Sequence, residues 1–192
     1  MEKRYLQREG EEDKERIFNR YKLIIENVIG IAEEKNNRVL DIGCGQGYGM
    51  RVLSEAGYNV VGVDTDEVAM WQYKDMNDGY GIFFQGKVGE LKNFPNQSFD
   101  YITAVEIIEH LPKEELDACL EEAYLLLQKD GLFIVVMPER RLEIKEYPSG
   151  AHFREYKLEE FLPIASEWFK LVKYFGKSEF DNRSEMYVFK KK

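Results

Sequence analysis

Acidic side chains stand beside a glycine-rich segment that could bind a small ligand. Asp41 comes just before residues 43–47 (GCGQG), Asp64 ends the next apolar segment, and Glu106 ends a later one. Glycines let the chain turn tightly and let a ligand approach the backbone closely. A carboxylate at such a turn repels a pyrophosphate and attracts a cation. The spacing is also GxGxG rather than the GxGxxG of dinucleotide-binding turns. The pattern therefore favours a cationic ligand over a dinucleotide.

S-adenosylmethionine has the required chemistry, since it carries an ammonium and a sulfonium group and no phosphate. The separation of Gly43 and Asp64 suits a carboxylate that bonds both ribose hydroxyls of an adenosine. The alternative is that Asp41 caps the turn and Asp64 caps the following helix. Three acids at three predicted strand ends favour the adenosyl ligand, with S-adenosylhomocysteine as its demethylated product.

Both histidines of the chain, His110 and His152, fall in segments predicted to border the site. Each is a candidate general base, because histidine titrates near neutral pH. The alternative is a structural role, for His110 at a helix end and for His152 in a loop. Glu106, Glu109 and His110 form an E-x-x-E-H pattern that, with His152, would suit magnesium, manganese or zinc. We favour one glutamate at the cofactor rim and no metal.

Alternating apolar strands and amphipathic helices are predicted to position these residues. The predicted strands cover residues 38–42, 59–64, 81–85, 101–105, 132–137, 170–175 and 185–190. The predicted helices cover residues 48–56, 66–76, 115–128 and 158–168, with a turn at 129–131 and an amphipathic helix that includes residues 17–32. This alternation predicts a mainly parallel sheet with helices on both faces. Ligands bind such sheets at the carboxyl ends of the strands, where the acids are predicted to lie.

The length and composition predict one globular domain of 192 residues. Within it, we expect residues 1–36 to form a helical segment that covers the cofactor site and residues 37–192 to form the core. The net charge of −9 disfavours nucleic acid as a partner. No apolar run approaches the ~20 residues that span a bilayer, and no apolar signal core follows the N-terminus. Two cysteines suit a reducing compartment, so a cytoplasmic location is expected. The composition leaves the oligomeric state open.

From Val39 to Phe161 the sequence resembles the class I S-adenosylmethionine-dependent methyltransferases, particularly the type 11/12 and ubiquinone-biosynthesis-like branches. The segments that carry the resemblance are VLDIGCGQG, VVGVDTD, FPNQSFDYITAVEIIEHL, DGLFIVVMP and HFREYKLEEF. Several motifs in the same order are more specific than a glycine turn alone. The resemblance implies an α/β fold, a Rossmann-like three-layer sandwich with a seven-stranded, mainly parallel sheet whose last strand is antiparallel.

The resemblance also implies a set of cofactor-binding residues, carried over by position. They are Asp41, Gly43, Cys44, Gly45, Asp64, Thr65, Val88 and Glu106. Asp41 would hold the methionine ammonium group and Asp64 the ribose hydroxyls. Thr65 and Val88 would border the adenine, and Glu106 the methionine end. Many relatives have an acid that contacts the adenine amino group where this chain has Lys87, so either the cofactor binds more weakly here or Glu90 replaces that acid.

The sequence therefore predicts an S-adenosylmethionine-dependent methyltransferase that acts on a small molecule by O- or N-methylation. The loop over residues 139–153 and the N-terminal helix would form the acceptor pocket. Its side chains are either contacts for an acidic or phenolic acceptor or solvated charges: Arg140, Arg141, Tyr147, His152 and Arg154. One alternative function is a non-catalytic S-adenosylmethionine-binding regulatory or partner subunit. A nucleotide-dependent oxidoreductase is disfavoured by Asp41 and by the lack of a second, catalytic domain.

Overall fold

The strands of the computed structural model form one sheet. The structure describes residues 11–30, 37–67, 69, 79–138, 154 and 156–192. The strands are β1 (Arg38–Ile42), β2 (Asn59–Asp64), β3 (Ile82–Gln85), β4 (Phe99–Val105), β5 (Leu127–Pro138), β6 (Phe169–Phe175) and β7 (Ser184–Lys191). Their spatial order is β3-β2-β1-β4-β5-β7-β6. The first five run parallel, whereas β7 is antiparallel to both of its neighbours. The predicted seven-stranded sheet with an antiparallel last strand is confirmed.

Helices cover both faces of this sheet. In the described ranges they are α1 (Glu11–Ile24), α2 (Tyr48–Glu55), α3 (Lys113–Leu126) and α4 (Leu158–Ala165). A π-helical turn (Ile25–Ile29) extends α1, and 3-10 turns occur at Leu91–Asn93 and Ile108–His110. The helix predicted over residues 66–76 lies mostly outside the described residues. No described helix combines the length and the apolar character needed to cross a membrane.

The two apolar cores follow from the alternation of side chains along the strands. Leu40 and Ile42 of β1 pack into the cluster that contains the inner faces of α3 and α4, whereas Val39 packs into the cluster of α1 and α2. Strands buried on both faces need apolar residues at nearly every position, which is the pattern seen in β5. Phe133, Ile134 and Val135 are fully buried there. The predicted three-layer arrangement is thereby explained.

The segment between α3 and β5 differs from the prediction. Residues 129–131, predicted as a turn, lie within β5, and α3 ends at Leu126 rather than at residue 128. Phe99 pairs with Leu127 but Tyr101 pairs with Leu132, so β5 holds extra residues at an irregularity in the ladder. Gly131 allows this, because a Cβ there would lie 2.7 Å from the Asp100 carbonyl oxygen. The strand absorbs the extra residues as a bulge instead of ending.

The helix predicted over residues 158–168 ends at Ala165, and the chain enters β6 at Phe169. Pro163 lies within this short helix, on which Phe161 and Ala165 are buried. Because β1 to β5 are parallel, their carboxyl ends meet at one edge of the sheet. The antiparallel β7 begins at that edge, where Ser184 pairs with Pro138.

Candidate functional site

A cavity of about 130 Å³ opens at the carboxyl edge of the sheet. The loops that follow β1, β2, β3 and β4 supply most of its walls, and α3 contributes Glu115. The predicted site residues that line it are Gly43, Asp64, Thr65, Val88 and His110. Lys87, which occupies the position where many proteins of the resembled family have an acid, also lines this cavity. The fold therefore brings residues that follow different strands, and that are distant in the sequence, to one cavity.

The glycine turn after β1 needs glycine for two different reasons. Gly43 and Gly45 have φ angles of 72° and 52°, in the left-handed region that side chains disfavour. A Cβ at Gly43 would lie 2.6 Å from Ile107 Cγ1, so only glycine lets the turn pack against the loop after β4. At Gly45 no described atom lies within 4 Å of that position. The backbone at Gly45 therefore faces space that a ligand could enter.

Asp64 joins the glycine turn to the loop after β2. Its carboxylate accepts hydrogen bonds from the Gly45 N–H at 2.8 Å and from the Asp66 N–H at 2.9 Å. Burial raises the pKa of Asp64, and these backbone bonds oppose the rise. The bond from the Asp66 N–H is the kind of local capping bond that the alternative role for Asp64 predicts. A carboxylate offers about four lone-pair sites, so both bonds leave room for a ligand hydroxyl.

Asp41 lies beneath the turn, fully buried, and does not border the cavity. It pairs in register with Thr103 of β4, and the Thr103 hydroxyl donates to its Oδ1 at 2.7 Å. The Tyr21 hydroxyl of α1 donates to the same oxygen at 2.6 Å. Oδ2 is buried and makes no hydrogen bond with any described group. Burial raises the pKa of Asp41 to about 6, while its bonds to Thr103 and Tyr21 oppose the rise.

Glu106 is held away from the cavity by residues that the sequence did not single out. Its φ of 54° is left-handed, and its carboxylate accepts from the Ser184 hydroxyl at 2.9 Å. Arg20 of α1 lies 3.5 Å from the other oxygen and is 4% exposed. The same guanidinium donates to Asp181 at 2.5 Å and to Ser184 at 2.6 Å. Burial raises the pKa of Glu106, and Arg20 and Ser184 oppose the rise.

Adjacent residues of α1, Arg20 and Tyr21, therefore each contact one predicted site acid. The sequence does indicate that Arg20 lies on the apolar face of the predicted helix, because it is three residues from Ile17 and four from Ile24. A charged residue on such a face needs a buried partner. Which acid it would meet depends on tertiary packing, which the helical pattern does not contain.

Cys44 contributes its backbone rather than its side chain to the turn. Its N–H donates to the Val63 carbonyl at 3.1 Å, and its side chain is buried. A Cβ at Gly62 would lie 2.7 Å from Cys44 Sγ, so the thiol packs against β2. Burial raises the pKa of this thiol well above its ordinary value, which keeps it protonated.

The three residues of the E-x-x-E-H pattern have different surroundings in the structure. Glu106 contacts Arg20 and Ser184, His110 lines the cavity, and Glu109 is buried. Glu106 lies before the 3-10 turn Ile108–His110, which carries Glu109 and His110. Within the part of the chain that the structure describes, no three His, Cys, Asp or Glu side chains form a group that could hold a metal. Four residues predicted to border the acceptor pocket lie outside the described residues: Arg140, Arg141, Tyr147 and His152.

Replacing Tyr21 by phenylalanine removes only the hydroxyl that donates to Asp41. We expect the free energy of unfolding at pH 7 to fall by about 1–2 kcal/mol, since the bond is buried and its acceptor is charged. Urea unfolding measures the change. Tyr174→Phe is the matched control, because its hydroxyl also donates to a carboxylate, that of Glu185, but is exposed. Equal losses in both variants would contradict a special role for the buried bond.

Comparison with known proteins supplies the family. A family model for the methyltransferase domain matches residues 40–135. A ubiquinone biosynthesis O-methyltransferase of Pelagibacter ubique is 32% identical over 144 residues, which cover 72% of this chain and 57% of that protein. The chain spans about half the length of the curated relatives it matches.

Solved structures show the same fold. A protein from Pyrococcus horikoshii OT3 superposes with a TM-score of 0.78 at 22% identity, covering 96% of this chain and 93% of that one. The 1,6-didemethyltoxoflavin-N1-methyltransferase of Burkholderia thailandensis, solved with S-adenosylhomocysteine, has a TM-score of 0.74 at 21% identity and coverages of 94% and 80%. The family match bears out the resemblance seen in the sequence: the chain belongs to the class I S-adenosylmethionine-dependent methyltransferases.

Proposed function

We propose that this protein transfers the methyl group of S-adenosylmethionine to an oxygen or nitrogen atom of a small molecule. The observation that carries the proposal is the carboxylate of Asp41, which lies below the glycine turn and keeps one buried oxygen without a described hydrogen-bond partner. Such an atom fits a ligand that brings N–H donors and positive charge. When bound, the cofactor supplies an electrophilic methyl group on its sulfonium for in-line displacement.

The positions of the residues support separate roles at the adenosine and methionine ends of the cofactor. Gly43, Asp64, Thr65 and Val88 border the cavity and would hold the adenosine, with Asp64 at the ribose hydroxyls. Asp41 and Glu106 would lie at the methionine end, and Gly43, Cys44 and Gly45 would lie along the methionine and ribose portion. Cys44 would act through its backbone, because its side chain is packed inside. Asp41 would act on the ammonium group directly or through water.

His110 is the described candidate for a general base, because it lines the same cavity as Asp64. A base is needed where the acceptor atom must lose a proton. His152 is the second candidate by sequence. Beyond proton removal, the protein mainly has to align the reacting atoms, and such positioning can contribute ~7–11 kcal/mol.

A small acceptor is supported by the charge and by one relative. The net charge of −9 disfavours nucleic acid. The Pelagibacter ubique relative is a ubiquinone biosynthesis O-methyltransferase, which favours an oxygen acceptor for this chain. A cytoplasmic location and a single domain, with residues 1–36 covering the site, are parts of the same proposal.

Calorimetric titration with S-adenosylmethionine, S-adenosylhomocysteine and NAD tests the cofactor assignment. We expect both adenosyl ligands to bind and NAD not to bind, because a pyrophosphate would meet the carboxylates of the turn. Transfer of labelled methyl groups to a panel of phenols, carboxylates and amines then tests catalysis. Binding of NAD alone would overturn the proposal, and adenosyl binding without transfer to any acceptor would favour a non-catalytic subunit.

A further inference from the structure

A loop after β3 forms one wall of the cavity, and it contains a turn in which the Glu90 N–H donates to the Lys87 carbonyl at 3.1 Å. Gly86, Lys87 and Val88 of this loop line the cavity. Its start is tied to the sheet by the Gly86 N–H, which donates to the Asp64 carbonyl at 3.0 Å. Its far end is the 3-10 turn Leu91–Asn93, where the Leu91 side chain is fully buried. What holds the middle of the loop therefore decides the shape of this wall.

The middle of the loop is held by Glu122 of α3. One carboxylate oxygen accepts the Gly89 N–H at 2.6 Å, and the other accepts the Leu91 N–H at 2.8 Å. These two N–H groups lie on either side of Glu90 in the sequence, so the Glu122 carboxylate binds the loop backbone directly after Val88. Hydrogen bonds to an ionised acceptor are about twice as strong as neutral ones.

The loop packs against one face of α3. Glu115, Ala118 and Glu122 are spaced by three and four residues, which places them in one line along a helix. Glu115 lines the cavity, a Cβ on Gly89 would lie 3.7 Å from the Ala118 Cβ, and Glu122 holds the two amides. Gly89 has a φ of 88°, which lets the backbone turn its N–H toward the helix.

We infer that Glu122 is a positioning residue for the adenosine end of the cofactor site, acting through the backbone of residues 86–91. The inference rests on the proposed function, because it takes the cavity to be the adenosine site. Glu122 touches neither the cavity nor the reacting atoms. It sets the position of Val88 and Lys87, so its loss weakens cofactor binding without slowing methyl transfer at saturating cofactor.

Glu122→Gln tests this, because the side-chain amide keeps one acceptor oxygen but turns an NH₂ group toward a backbone N–H donor. We expect S-adenosylhomocysteine to bind about 10-fold more weakly, and adenosine alone to weaken by the same factor. The KM for S-adenosylmethionine rises while kcat is unchanged. Glu121→Gln, at the exposed neighbouring position, makes the same charge change and should match the wild type.

Amide hydrogen exchange gives a readout that does not need a cofactor. In Glu122→Gln the amides of Gly89 and Leu91 should exchange faster, while those of the sheet stay protected. Unchanged exchange, or binding equal to that of Glu121→Gln, would overturn the inference alone. A wild-type protein that binds no S-adenosylhomocysteine would overturn the proposed function together with it, so the two failures are distinguishable.

Discussion

Replacing Asp64 by alanine is expected to weaken the binding of S-adenosylmethionine and S-adenosylhomocysteine by about 100-fold or more. Asp64 is the acid that borders the cavity where β2 ends. A hydrogen bond to a charged group contributes ~1.5–3 kcal/mol, and two ribose hydroxyls would share this carboxylate. The variant also leaves the Gly45 N–H without its acceptor, which loosens the turn that faces the ligand. Calorimetric titration measures the loss directly.

Glu67→Ala is the control for this experiment. Glu67 is an exposed acid three residues further along the chain, so the variant changes the charge of the same segment without reaching the cavity. Its dissociation constants should stay within about twofold of the wild type, since exposed charges are screened by salt. If Asp64→Ala bound both ligands as tightly as Glu67→Ala, Asp64 would be a local cap and not a cofactor ligand.

Much of the fold could be predicted because its signals are local. Apolar runs bounded by glycine identify β1 and β2, and the parallel arrangement then places Asp64 at the carboxyl edge without any knowledge of side-chain packing. The bulge in β5 was missed, because Lys129, Asp130 and Gly131 have turn composition and only the pairing with β4 shows that the strand continues through them.

The sequence predicts where Asp41, Asp64 and Glu106 lie along the strands, but it does not predict how deeply each carboxylate is buried. Alternation along β1 puts Leu40 and Ile42 on the α3 face, so Asp41 must face α1. That step was available from the sequence. Its partner Tyr21 was not, since nothing local links a helix residue to a strand residue twenty positions later. The left-handed backbone of Glu106 and its side-chain contacts with Arg20 and Ser184 likewise have no local signal in the sequence.

Replacing Asp41 by asparagine is expected to stabilise the protein at pH 7 by up to about 3 kcal/mol. Burial raises the pKa of Asp41 from 3.8 to about 6, so the folded state binds its proton more tightly than the unfolded state does. The stabilising contribution of this proton is complete below pH ~4 and is lost as the pH rises through ~6. Asparagine has the same shape, can accept from Tyr21 and Thr103, and replaces a buried charge by a neutral group.

Urea unfolding at pH 7 and at pH 4.5 measures the effect, because the gap between variant and wild type should narrow as Asp41 becomes protonated. Asp117→Asn is the control, since this exposed acid pairs with Lys113 on the helix surface, and its removal should leave the stability close to that of the wild type at either pH. A wild type as stable as Asp41→Asn at pH 7 would contradict the expectation.

The same variant should bind S-adenosylmethionine more weakly, because it lacks the charge that would attract the ammonium group. If the variant gains stability and loses affinity, the buried charge of Asp41 lowers the stability of the free protein and serves ligand binding. The bonds from Tyr21 and Thr103 both fall on Oδ1 and leave Oδ2 for another partner. Their geometry is what a carboxylate needs if it is to stay ionised in the interior and still have one oxygen to offer.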